Sequence, residues 1–139
     1  MSIVQTQTTS FKKELYQGIH DLTTDVIKIA LYTGDANLNA DTTVYSSTSE
    51  IVATGYTAGG KIMTGITVES SGYTAYVNFA NVTWSPGAFT ARCALIYNSS
   101  KGNKSVAVLD FGSDKTTTST FTITMPANTA TSALIRSSN

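Results

Sequence analysis

The stretch CALIYNSSKGNKSVAVLDFG, residues 93–112, restricts the fold more than any other part of this chain. Two runs that are apolar almost throughout stand on either side of Asn98, Ser99, Ser100, Lys101, Gly102 and Asn103. A strand with one wet face alternates apolar and polar residues, whereas a strand covered on both faces reads as a continuous apolar run. The intervening residues are turn formers, so the two runs pair as antiparallel neighbours. Such a hairpin belongs at the centre of a sheet, and the rest of the chain has to cover both of its sides.

At 139 residues the chain is the size of one domain and can bury about two thirds of its unfolded surface. Most of the remaining segments carry strand patterns. In TDVIKIALYTG, Ile27, Ile29 and Leu31 alternate with Lys28 and Ala30, and Gly34 closes the run. Residues 42–50 read as a short polar strand. A Gly59-Gly60 turn leads to a strand from about Lys61 to Glu69, with Gly65 marking a bulge or a close backbone approach. In TAYVNFANVTW, Ala75, Val77 and Phe79 share one face while Tyr76 and Asn78 share the other. A Ser85-Pro86-Gly87 turn enters FTARCALIYN; later, Phe121, Ile123 and Met125 alternate with Thr120, Thr122 and Thr124, and SALIR forms a last strand.

The start of the chain differs. Phe11, Leu15, Ile19 and Leu22 recur at spacings of four, four and three, which predicts a helix over about 11–22 capped by Ser10. Gly18 weakens that helix by about 1 kcal/mol relative to alanine, so packing is expected to hold it. Residues 1–10 have no periodicity and read as an arm whose removal leaves the core intact. The expectation is a mainly β protein: an antiparallel β-sandwich of about seven or more strands with one N-terminal α-helix, forming a single domain over 11–139 behind the arm.

Chemistry is sparse. Nine basic and nine acidic residues cancel and the isoelectric point is near 6.5, so no charge excess steers the chain to nucleic acid or an anionic membrane. The opening MSIVQTQTTSFKKEL has neither the apolar run of a signal peptide nor the length of a membrane span, which implies synthesis in the cytoplasm. The one cysteine, Cys93, reads as a small buried hydrophobe, and the one histidine, His20, as a helix-end side chain complementing the dipole. One thiol and one imidazole leave no set for structural zinc, and only His20 could serve as the base of a catalytic triad. Hydroxyls dominate instead: 24 Thr and 16 Ser suit strand surfaces and neutral hydrogen-bonding contacts.

Weaker constellations read as ordinary structure. Asp35, Asn37, Asn39 and Asp41 place oxygens at alternate positions as a calcium loop does, but Ala40 and Ser46 stand where an EF-hand needs Gly and Glu. Gly55, Gly59 and Gly60 lack Walker A spacing and read as turn glycines. Asp110 and Asp114 are a formal carboxylate pair without a fixed separation. Tyr45, Tyr56, Tyr73, Tyr76 and Trp84 are candidates for stacking on sugars, which would make the chain a carbohydrate-binding module with calcium in the Asp35–Asp41 loop. Asn81-Val-Thr83 and Asn98-Ser-Ser100 match the glycosylation sequon but carry no weight without a secretion signal. No catalytic, cofactor-binding or metal-ligating residue is assigned, and an enzyme is not expected.

Read together, FKKELYQGIHDLTTDVIKIALYTG, TGYTAGG, AYVNFANVTW, TARCALIYNSSKGNKSVAVLDFGSDKT and FTITMPANTATSALIR resemble a family of small structural proteins of tailed bacteriophages, over about Phe11 to Arg136. The resemblance implies a virion component and transfers no functional residue. Cys93 stands where a small residue such as Gly is expected in that family. The implied role is a capsid decoration protein on the outer head surface, with a tail, collar or baseplate component as the alternative. The implied partners are the major capsid protein or another virion protein and further copies of the chain, a trimer for example, with residues 1–10 reaching an adjacent subunit.

Overall fold

In a computed structural model that describes residues 2–138, the predicted hairpin is the centre of the main sheet. Strand β7, Thr90–Asn98, pairs antiparallel with β8, Lys104–Thr116, from Asn98 opposite Lys104 to Thr90 opposite Thr116. The turn between them is a 3-10 segment over Ser99–Lys101, whose first free amide, Ser100 N–H, donates to Asn98 Oδ1 at 3.1 Å. On its other side β7 pairs with β2, Ile27–Tyr32, which in turn pairs with β3, Lys61–Ile62. Strand β1, Thr6–Gln7, pairs with β8 and gives the order β1-β8-β7-β2-β3. Leu95, Ile96, Val106 and Val108 are fully buried, as continuous apolar runs require.

The two faces of this sheet are covered differently. One face, with Ile27, Ile29, Leu31, Ala94 and Ile96, packs on a second β layer. That layer holds a three-stranded sheet of β4 (Thr67–Ser71), β5 (Thr74–Asn78) and β10 (Ile135–Ser138) in the order β10-β5-β4. Beside it stands the pair of β6 (Val82–Trp84) and β9 (Phe121–Ile123). Their inward residues Val77, Val82, Trp84, Phe121, Ile123 and Ile135 complete the larger core. Phe89 and Phe121 stack at 5.1 Å, and Trp84 meets Phe121 edge-on at 6.2 Å. Each large apolar side chain removed from water here contributes about 1.5–3 kcal/mol.

The opposite face presents Ala30, Tyr32, Cys93, Leu95, Tyr97 and Val108, packed with Ala36 and Leu38 and flanked by Ile3 and Tyr45. Its cover is irregular chain from the segment after β2 and from the N-terminus. The pairing of β7 and β8 shifts register between Ala91 and Cys93 and again between Ile96 and Tyr97. A shift of this kind changes which side chains face which side: the first puts Ala91 in the larger core although Cys93, two residues on, lies in the smaller, and the second puts Val106 and Ala107 together in the larger core.

The mainly β, antiparallel architecture with one helix is as expected, with ten strands among the described residues. Several local boundaries differ. Helix α1 spans Thr9–Tyr16, and Thr8 rather than Ser10 is its cap: Thr8 Oγ1 accepts from Phe11 N–H at 3.3 Å. It stops at Gln17 because Gly18 adopts a left-handed backbone, φ 70°, the usual way a glycine ends a helix. Ile19 and Leu22 therefore lie beyond the helix; Phe11 is buried, while Leu15 remains 42% exposed.

Residues 3–8 are bonded into the fold rather than standing away from it, Thr6–Thr8 along the edge of the main sheet. Ile3 bridges Leu38, Thr6 and Gln7 pair with Val108 and Ala107, and Thr8 N–H donates to the Val106 carbonyl at 3.0 Å. Pairing along a strand edge uses backbone groups and needs no side-chain period, which is why the sequence pattern shows nothing there. Past β1 the outer edge of β8 meets side chains: Asp110 N–H donates to Gln5 Oε1 at 3.1 Å and Gly112 N–H to Asp110 Oδ1 at 2.8 Å.

The strand expected over 61–69 splits around Gly65, so β3 joins the main sheet and β4 the second layer. A Cβ on Gly65 would stand 2.9 Å from the Ala80 Cβ, so the close approach read from the sequence is present. Residues 42–50 form two isolated bridges, Val44 with Lys104 and Glu50 with Tyr32, instead of a strand. TAYVNFANVTW holds two strands, β5 and β6, in separate sheets; Val77 and Phe79 face inward while Ala75 is exposed.

Candidate functional site

Two buried polar clusters carry most of the chemistry-bearing side chains. The first surrounds Glu50, which is 7% exposed. Its Oε1 accepts from the Tyr45 hydroxyl at 2.6 Å; its Oε2 accepts from the Tyr56 hydroxyl at 2.5 Å and from Gly59 N–H at 2.8 Å. Tyr56 Oη also accepts from Leu31 N–H at 2.9 Å, and the Tyr97 hydroxyl donates to the Gly59 carbonyl at 2.6 Å. Tyr45 stacks on Tyr97 at 4.8 Å. The turn that supplies Gly59 depends on Gly60, with φ 80°, where a Cβ would overlap the Ile29 carbonyl.

Burial and then the nearby Glu50 charge push Tyr97 up to about 12, and burial drives Tyr32, Tyr45 and Tyr56 well above the usual phenol range. The phenols therefore stay protonated and donate. A carboxylate with its oxygens committed to two phenols and an amide is a clasp: it draws the irregular segment 44–60 together, and Tyr56 and Gly59 of that segment bond Leu31 and Tyr97 of the main sheet.

The second cluster joins α1, the segment after it and the hairpin turn. His20 Nε2 lies 2.8 Å from Glu14 Oε1, and His20 Nδ1 lies 2.9 Å from Asn98 Nδ2. The same Asn98 amide donates to Asp25 Oδ2 at 2.7 Å, and Lys101 Nζ donates to Asp25 Oδ1 at 3.0 Å. Burial raises the Asp25 carboxyl, but hydrogen bonds from Asn98, the Asp21 amide and Lys101 outweigh it and hold the group at about 2. Asn98 is fully buried and the His20 side chain is 0% exposed. His20 is thus a core residue beyond the helix, bonded on both nitrogens, and not a dipole-complementing end group.

The remaining sequence candidates disperse. Cys93 is buried and its thiol is pushed up to about 12 by burial and then by the Asp110 charge, which suppresses the thiolate. Trp84 is 1% exposed and Tyr56 is buried, so neither offers a stacking surface; Tyr45 is taken by Tyr97 and Glu50. Tyr73 stands out at the β4–β5 turn and Tyr76 is half-buried. Asp110 sits 3.5 Å from Arg92 Nε, and Asp114 lies further along the same strand rather than across a cleft from it.

In the Asp35–Asp41 loop, side-chain oxygens serve the loop itself: Asp41 N–H donates to Asn39 Oδ1 at 2.9 Å and Asn39 Nδ2 to Asn37 Oδ1 at 3.2 Å. Among the described residues no three His, Cys, Asp or Glu side chains converge as metal ligands. The amide that a phosphate-binding loop would offer, Gly59 N–H, goes to Glu50. Of the two sequons, Asn98 is buried, and Asn81 is exposed with its Oδ1 accepting from Met125 N–H at 2.7 Å.

Outside these clusters the surface has shallow recesses. One of about 400 Å³ lies over Tyr32, Asn37, Asn39, Asp41 and Thr43; another of about 340 Å³ lies between α1 and the second layer, over Leu15, His20, Val68, Val77 and Ile135. Sequence reasoning missed both buried clusters. Their signals are a lone Glu beside Ile51 and tyrosines within apolar runs, which look the same as surface charge and core aromatics until the chain is folded. Compared with protein-family models, curated proteins and solved structures, the chain matches none.

Proposed function

We propose that this chain is a structural protein of a tailed-bacteriophage virion, specifically a capsid decoration protein that binds the outer head surface and stabilises the shell. The observation that carries this reading is the likeness of its sequence strings to small phage structural proteins over about Phe11 to Arg136. Three physical features support it. The Glu50 and His20–Asn98 clusters bond buried polar groups to one another in ways that fix the fold, so these parts of the interior do structural work. The surface is rich in Thr and Ser and carries no net charge, which suits neutral hydrogen-bonding contacts that salt does not weaken. Tyr16 at 94% exposure and Tyr73 at 88% offer the aromatic groups that protein interfaces favour.

In this reading the partners are the major capsid protein and further copies of the chain, and the activity is area buried against the shell. Cryo-electron microscopy of the virion tests it. Density for the chain in many symmetric copies on the head is the expected result. Density only at the tail, collar or baseplate replaces decoration with the runner-up role, and absence from the particle removes the virion reading. The carbohydrate-binding alternative loses its platform, because Trp84 lies in the core.

A further inference from the structure

The hairpin turn between the two central strands is tied to a buried histidine by a single amide. Asn98 Nδ2 supplies both of its hydrogens inward, one to His20 Nδ1 and one to Asp25 Oδ2, while Asn98 Oδ1 accepts from Ser100 N–H. All three bonds fix the same orientation of one side chain. For Nδ1 to accept, the imidazole must be neutral with its proton on Nε2, where it donates to Glu14 Oε1.

We infer that Asn98 reads the charge of His20, so that a proton taken up by the ring frees the Ser100 amide at the start of the turn, while Ser99 and Ser100 stay bonded to Val26. A proton on Nδ1 sets N–H against N–H. The contact can be remade only if the Asn98 amide turns over, which places its oxygen against the Asp25 carboxylate and its NH2 against Ser100 N–H. That turnover loses the bonds to Asp25 and Ser100 together. Both side chains are buried, so water does not stand in for the missing partners.

The groups around the ring fix what else responds. Glu14 comes from α1, Asp21 and Asp25 from the segment after it, Lys101 from the turn, and Tyr76 from β5 lines the same recess. Asp25 is ionised throughout the range in which a histidine titrates, so its contact with Lys101 persists and the change is confined to Asn98 and the Ser100 amide. The inference is independent of the virion reading.

The test is an NMR titration of the labelled full chain from about pH 8 downwards, followed until the His20 ring takes up its proton. At the upper end the ring nitrogens should report Nε2–H with Nδ1 bare. On acidification the Ser100 backbone amide and the Asn98 side-chain amide should shift with the midpoint of the His20 ring, and exchange at Ser100 should accelerate by about fivefold, the loss of one hydrogen bond. In His20→Gln the Ser100 response to pH should vanish. A ring protonated on Nδ1 at the upper end, or a Ser100 amide that ignores the His20 midpoint, overturns the inference; both are read on the unaltered chain even if the variant fails to fold.

Discussion

The two faces of the central sheet are covered by opposite means. Over Ile27, Ile29, Leu31 and Ile96 lies a second β layer whose Val77, Trp84, Phe121 and Ile135 fill the space by shape. Over Tyr32, Leu95, Tyr97 and Val108 lies irregular chain, where Tyr45 stacks on Tyr97 and is held by the Glu50 carboxylate. Area-driven packing is non-directional and distributed over many atoms, whereas a buried carboxylate concentrates the attachment in a few directed bonds. The first face should therefore fail globally, and the second should open locally.

The largest expected effect tests the packed face. Trp84→Ala should cost about 3–5 kcal/mol in a denaturant titration, as truncation of a buried aromatic does, and shift the whole transition. Deleting residues 1–8 comes next, because it removes β1, the Thr8 cap and the bridge from Ile3 to Leu38; a fall in melting temperature with loss of α1 circular dichroism is expected. An unchanged transition would show these residues to be a dispensable arm.

On the clasped face, Glu50→Gln leaves phenol donors facing an amide and should cost about 1–3 kcal/mol. Its signature is faster hydrogen exchange across 44–60 while β7 and β8 stay protected. If β7 and β8 lose protection equally, the contrast between the faces is broken. Alkaline pH probes the same face. The phenols of Tyr32, Tyr45 and Tyr97 ionise at higher pH folded than unfolded, so their contribution is complete below about pH 10 and is lost as pH rises through the folded values. Tyrosinate absorbance against pH should show late-titrating phenols that become ordinary in denaturant. The smallest effect is Thr8→Ala, about 1 kcal/mol from the lost helix cap, seen in thermal melts.

What could be read from the sequence follows the same division. The hairpin, β2 and β9 were legible because side-chain period reports burial directly, and each strand lies where its apolar run stands. The N-terminal pairing was not, since backbone edges leave no trace in side-chain order. Ile19 and Leu22 misled because their spacing fits a helix that Gly18 ends. The split of 61–69 between two sheets and the Glu50 clasp depend on contacts far apart in the chain, such as Gly65 with Ala80, which no local window contains. Trp84 and Tyr56, read as core or rim aromatics with a sugar platform as the alternative, lie inside.

The side-chain bonds along the outer edge of β8 set a limit on how copies can meet. With Gln5 and Asp110 occupying the amides of Asp110 and Gly112, that rim is closed to an incoming ribbon. Lateral growth of the sheet from molecule to molecule is blocked along this stretch, and any β-ribbon that pairs with the molecule has to find another edge.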